Sequence, residues 1–200
     1  MKIIISALLA SILTPAFAAQ SEDRPVGEVL GATVHESQVE SSTLQKRSDS
    51  LRALVISPAI KNYLEPHKKE WSLDDSEIAA LTESYKAYVK CKPELGLRVM
   101  EPPFDKLFAL MIGGKAKVER FIYLNHGHGR ILFQQSGSEA FDATYNLVLK
   151  LEKEKKFKFH DQADRDLALS YWTRTNQPSP LPDPGPDKAF QLDDLLLKCP

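Results

Sequence analysis

Between Phe121 and Asp142 the chain reads FIYLNHGHGRILFQQSGSEAFD. Phe, Ile and Tyr are concentrated in Val118–Asn125, a composition that suits a half-buried β-strand. His126-Gly127-His128-Gly129 supplies residue types that tolerate a turn, and Arg130–Gln135 then reads as the returning strand of a hairpin. Ser138 is placed to cap a helix running from Glu139 to about Lys155, with Leu147 and Leu151 on one face and Phe141 and Val148 beside it.

The flanking segments extend this pattern. Downstream, Phe157 and Phe159 predict a third strand and Asp161–Asp166 a polar turn, and the alternation of Leu167, Leu169, Tyr171 and Thr173 predicts a fourth strand. Upstream, Phe104, Leu107, Phe108 and Met111 suit a short helix closed by Gly113-Gly114. Ser72-Leu73-Asp74-Asp75 fits a capping box, and Ile78, Leu81, Tyr85 and Val89 carry the helix behind it to about Lys90. Residues 38–67 are helical in period, with Ser57-Pro58 dividing them so that Pro58 starts a second piece. The predicted fold class is α+β, an antiparallel sheet with long N-terminal helices.

The two ends differ in character from this body. Lys2, the apolar run Ile3–Leu13, Pro15 and the small residues Ala16 and Ala18 together form a tripartite secretory signal, which predicts cleavage after Ala18. That apolar run is too short to span about 30 Å of hydrocarbon. The expected organisation is a signal peptide over 1–18, a mobile lead-in over 19–37, one domain over 38–175, and a proline-rich tail with a short apolar element over 176–200. Such a protein is expected to be periplasmic or secreted, with no direct insertion into a membrane. Lys and Arg total 26 against 27 for Asp and Glu, so there is no basic excess of the kind that nucleic-acid binding leaves. The two cysteines, Cys91 and Cys199, are expected to pair in an oxidising compartment. The alternatives are two free thiols, or a metal site for which clustered ligands are lacking.

Motifs of catalysis are missing from the sequence. Ser136-Gly137-Ser138 is not a G-x-S-x-G elbow, no other serine sits in one, and Cys91 is better read as a disulfide cysteine than as a thiol nucleophile, so a non-enzyme without cofactor is expected. His126 and His128, with His160 at a later strand end, could be read as metal ligands, but a third ligand would have to come from elsewhere and a solvated hairpin turn is the better reading, so no metal site is expected. Trp71, Tyr171 and Trp172 are the aromatic residues most suited to line a ligand site, and each is also an ordinary core residue.

Three stretches, LRALVISPAIKNYL (residues 51–64), SLDDSEIAALTESYK (residues 72–86) and Phe121–Asp142, resemble the Cache or PDC-like sensor domains, a branch of the PAS-like folds. The resemblance implies a small polar ligand bound between the concave face of a sheet and the segments crossing it. By that likeness the pocket is lined by Tyr123, Ser138, Asp142 and Tyr171, with Asp142 suited to an ammonium or hydroxyl group. It also implies a non-catalytic exported sensor reporting to a membrane receptor. The competing expectation is an exported protein-binding module, an inhibitor or immunity-type protein with an envelope protein as partner.

Overall fold

The computed structural model describes residues 23–91, 93, 96, 101–134, 137–174 and 189–190. The signal segment 1–18, the proline tract 176–188, the apolar element from Gln191 onward and Cys199 lie outside the described residues. The chain is α+β, built of long helices and small antiparallel sheets.

The segment expected to be a mobile lead-in is ordered structure. Strands β1 (Pro25–Val29) and β2 (Ala32–His35) form a hairpin, and β1 is the centre of a three-stranded antiparallel sheet ordered β2-β1-β5. The turn sets Leu30 and Gly31 at φ 51° and 85°, the left-handed pair that matches strand twist in a two-residue hairpin. Polar composition concealed this hairpin because only one face of it is covered, with Val26, Val29 and Val34 buried. A charged network then fixes it in place: Glu36, just after β2, accepts from both Arg24 and Arg47, and Arg47 also bonds Asp164 far along the chain. The hydrogen bonds from Arg47 and then Arg24 hold the Glu36 carboxyl down at about 2.

Helices α1 (Leu44–Leu51) and α2 (Ser57–Leu64) are joined without a break by a π-helical stretch, Arg52–Ile56. Pro58 lacks an N–H and crowds the carbonyl one turn back, so a straight α-helix is costly there. Widening the preceding turn, with Ser57 N–H donating to Arg52 O, carries the chain past the proline. A 3-10 turn at Glu65–His67 and α3 (Lys68–Trp71) complete this long helical run. The cap of α4 (Asp75–Cys91) is Asp74 rather than Ser72. Asp74 Oδ1 accepts from Glu77 N–H at 2.9 Å and Glu77 Oε2 accepts from Asp74 N–H at 2.9 Å, a reciprocal box. Ser72 instead donates to Lys68 O and closes α3.

Helix α5 (Phe104–Asn125) departs furthest from expectation, because Val118–Asn125 forms its last two turns and not a strand. Gly113 does not end the helix. A Cβ there would collide with Leu81 Cδ1 and come within 2.9 Å of Leu73 Cδ1, so the glycine serves the close approach of α4. With the helix uninterrupted, Ala109, Gly113, Ala116 and then Phe121–Tyr123 fall on its buried sides, and burial overrides the β-propensity of Phe, Ile and Tyr.

The hairpin in the middle of the chain is therefore β3 (Ile131–Gln134) with β4 (Gly137–Ala140), a separate two-stranded sheet. Helix α6 (Phe141–Lys153) starts two residues later than expected, since Ser138 and Glu139 belong to β4. Strand β5 (Phe157–Phe159) appears where expected and pairs with β1. The last expected strand is helix α7 (Gln162–Thr173), capped by Asp161, whose side chain accepts from Ala163 N–H at 2.7 Å. Its buried residues Asp164, Ala168, Leu169 and Trp172 follow a helical spacing, and Ser48 of α1 donates to Leu167 O. Two strands required by the sensor-domain likeness are thus helices, and the strands present form two sheets rather than one.

Candidate functional site

The four residues expected to line a ligand pocket do gather near the β4–α6 junction, but each is engaged there by the protein itself. Asp142, in the first turn of α6, accepts from Arg130 Nη2 at 2.7 Å, from Arg130 Nε at 2.9 Å and from Arg130 N–H at 2.8 Å. Burial pushes its carboxyl up, and the hydrogen bonds from Arg130 outweigh this and hold it below the ordinary carboxylate range. Gly129 makes the grip possible: at φ 144° it passes so close that a Cβ would lie 2.7 Å from Asp142 Oδ2. Arg130 also reaches Arg174 O at 3.3 Å and Trp172 O at 3.4 Å, linking the junction to the end of α7. The negative charge expected to meet an ammonium ligand is therefore paired within the chain.

Tyr171 lies on α7, so the parity that would set it beside Leu167 and Leu169 on a strand face does not apply. Its hydroxyl donates to Glu139 Oε2 at 2.7 Å. Its ring has Arg52 4.3 Å and Arg174 5.2 Å from its centroid and packs on Phe141 at 5.7 Å. Ser138 is buried and donates to Ala189 O at 2.6 Å. Tyr123, 1% exposed, stacks on His128 at 4.7 Å and meets Phe190 at 5.7 Å. Ala189 and Phe190 thus occupy the space beside Tyr123 and Ser138.

One residue of this junction carries no mark in the sequence. Glu119 of α5 accepts from Ala140 N–H at 2.8 Å, beside Glu139. Burial, with the Glu139 charge adding to it, raises its carboxyl to about 7 despite the Ala140 hydrogen bond. In sequence it looks like any solvated charge within the run Lys115–Arg120, and only the tertiary placement of β4 against α5 reveals it.

The histidines are dispersed. His126 Nε2 lies 2.8 Å from Tyr63 Oη, His128 stacks on Tyr123, and His160 lies 3.4 Å from Glu28. Among the described residues no group of three or more His, Cys, Asp or Glu is arranged to hold a metal. Cys91 ends α4, and its expected partner Cys199 lies outside the described residues. Among the described residues no helix is long and apolar enough to cross a membrane.

Two surface features remain. Along α5, Phe104, Leu107 and Met111 are 62%, 61% and 64% exposed, with Leu110 beside them. Their spacing of three and four residues places them on one stripe. Carried on through Gly114 to Val118 and Ile122, the same line becomes the face packed on the core. The second feature is a groove of about 520 Å³ where the β1–β2 turn meets the α6–β5 turn, lined by Glu28, Leu30, Gly31, Glu152 and Lys155–Lys158. None of the four expected ligand residues lines it. No protein-family model matches the chain, and no curated protein or solved structure matches it.

Proposed function

We propose that this is an exported, non-catalytic protein-binding module that docks an amphipathic helix of an envelope protein on α5. The observation carrying this reading is the exposed stripe Phe104, Leu107 and Met111, because soluble proteins rarely leave several large apolar side chains together in water without a use for them. Gly114 lies on the same stripe, and a Cβ there would meet nothing within 4 Å among the described residues. Unlike Gly113, it answers to no contact among the described residues, yet glycine inside a helix costs about 1 kcal/mol relative to alanine. A helix passing closely over that point accounts for it. Cleavage after Ala18 and a Cys91–Cys199 disulfide belong to the same reading, which places the protein in the periplasm or outside the cell.

The small-ligand sensor reading, with the Cache or PDC-like likeness behind it, is supported less well. Its chosen pocket residues are spent on Arg130, Glu139, Ala189 and His128. Its likeness retains the long first helix and the capped second one.

The test uses the full mature chain as bait for envelope extract, in wild-type form, as Leu107→Asp/Met111→Asp, and as Lys155→Gly in the α6–β5 turn outside the stripe. A protein held by the wild type and by Lys155→Gly but lost by the stripe variant supports the reading. Equal capture by all three, or none by any, overturns it.

A further inference from the structure

At the end of α6, two turn positions that the fold sets at positive φ are filled by residues with a Cβ instead of the less strained glycine, asparagine or aspartate. Among the described residues, Leu30 and Lys155 are the non-glycine residues with positive φ, 51° and 57°, and both line the groove there. Lys155 occupies the left-handed position that closes α6: its N–H donates to Glu152 O at 2.9 Å, and Lys156 N–H donates to Leu151 O at 3.0 Å. That pair of bonds is the helix-ending motif in which glycine is the usual residue, because a Cβ is strained there. Leu30 likewise takes a hairpin-turn position that asparagine, aspartate or glycine fills at less cost. The two turns are held against each other by Leu30 N–H donating to Lys156 O at 2.9 Å. Strained side chains kept together at one cavity are a reason to look for a use of those side chains.

The charges give the chemistry. Glu152 is held by Arg165 through two bonds of 2.6 and 2.7 Å, and Glu28 by Lys158 at 2.9 Å with His160 at 3.4 Å. Lys155 and Lys156 make no ion pair among the described residues. The groove therefore presents two ammonium groups beside Leu30, a leucine 48% exposed, and the aliphatic stems of the lysines. Its size falls within the range of small-molecule sites.

We propose that this groove binds a small organic anion, a carboxylate or a phosphate monoester with a short apolar chain. The anionic group lies between Lys155 and Lys156, and the chain lies on Leu30. This site is separate from the α5 stripe and does not depend on it.

The probes are hexanoate and hexyl phosphate, with hexanol and inorganic phosphate as controls, titrated into the full mature chain and followed by amide NMR shifts and calorimetry. Saturable shifts at Leu30, Gly31 and Lys155–Lys158 with either organic anion, and none with hexanol, are expected; the tighter of the two identifies the anionic group. Lys155→Gly is expected to raise the melting temperature by about 2–4 °C through relief of strain, and to weaken binding about tenfold. Leu30→Asn is expected to keep or raise stability and to reduce affinity for hexyl phosphate to that for inorganic phosphate. Gains in stability joined to loss of binding separate a ligand role from a structural one. Absence of saturable binding, unchanged affinity in Lys155→Gly, or inorganic phosphate binding as tightly as hexyl phosphate would overturn the proposal.

Discussion

Replacing Glu119 by glutamine tests whether a mostly buried carboxyl makes this fold lose stability as pH rises toward neutrality. The carboxyl of Glu119 is raised from 4.5 to about 7, chiefly by burial and further by the Glu139 charge. Between these two values the unfolded chain has released the proton and the folded chain still holds it. Folding then takes up a proton, so the stability that Glu119 contributes is full below about pH 4.5 and is lost as pH rises through about 7. Each pH unit separating the two values is worth about 1.4 kcal/mol, and with partial access to water discounted the loss amounts to about 2–3 kcal/mol. Glutamine keeps an oxygen for Ala140 N–H and cannot ionise. Urea unfolding of wild type and Glu119→Gln at pH 4, 6 and 8 is the assay. The two proteins are expected to agree within about 1 kcal/mol at pH 4, with the variant about 2–3 kcal/mol more stable at pH 8. Glu36 titrates in a separate window: its carboxyl is lowered to about 2, so its contribution is present above about pH 4.5 and is lost as pH falls toward 2. Parallel pH profiles for the two proteins between pH 5 and 8 would refute the argument from burial.

Two further substitutions probe packing and charge. Gly113→Ala forces a Cβ against Leu81 and Leu73 and is expected to destabilise by about 1–2 kcal/mol despite alanine's helix propensity, whereas Gly114→Ala, facing open space, is expected to stabilise by about 1 kcal/mol; thermal or urea unfolding compares them directly. Asp142→Ala removes the partner of Arg130 at a site about one-third exposed and is expected to cost roughly 1–2 kcal/mol, read as a drop in urea midpoint, with no small amine or polar ligand needed to observe it.

Where the sequence was legible, local chemistry and tertiary packing agreed. The helices α4 and α6 and the strand β5 are legible from apolar spacing, although the serines expected to cap the helices, Ser72 and Ser138, donate elsewhere. Where it was not, a residue had two physical uses and the sequence displays only the more common one. Gly113-Gly114 has the form of a helix end, yet Gly113 admits a neighbouring helix and Gly114 sits in mid-helix. Reading it as a stop leaves Val118–Asn125 with only its β-propensity, and the false hairpin follows from that one choice. Leu167–Thr173 fails in the same way. Alternate apolar residues also fit a helix whose buried side takes Ala168, Leu169 and Trp172, and the Asp161 cap that distinguishes the two has the composition of a polar turn.

The expected site shows a different limit. Ser138, Asp142, Tyr171 and Tyr123 lie about one junction, Tyr171 reaching it from a helix and not from the expected strand. What the sequence cannot carry is the number of hydrogen-bond partners already present, and that number separates a ligand site from an interior. Asp142 has both oxygens taken by Arg130, and Ser138 donates to a carbonyl fifty-one residues away. At Lys155 the logic runs the other way. A lysine inside the run Glu152–Lys158 looks like an ordinary solvated charge, and only its left-handed φ marks the side chain as one the fold retains at a cost. Backbone strain is invisible to a reading based on residue type, and the two surfaces proposed above to take a partner or ligand, α5 around Gly114 and the groove around Lys155, each hold a residue that its own backbone position disfavours.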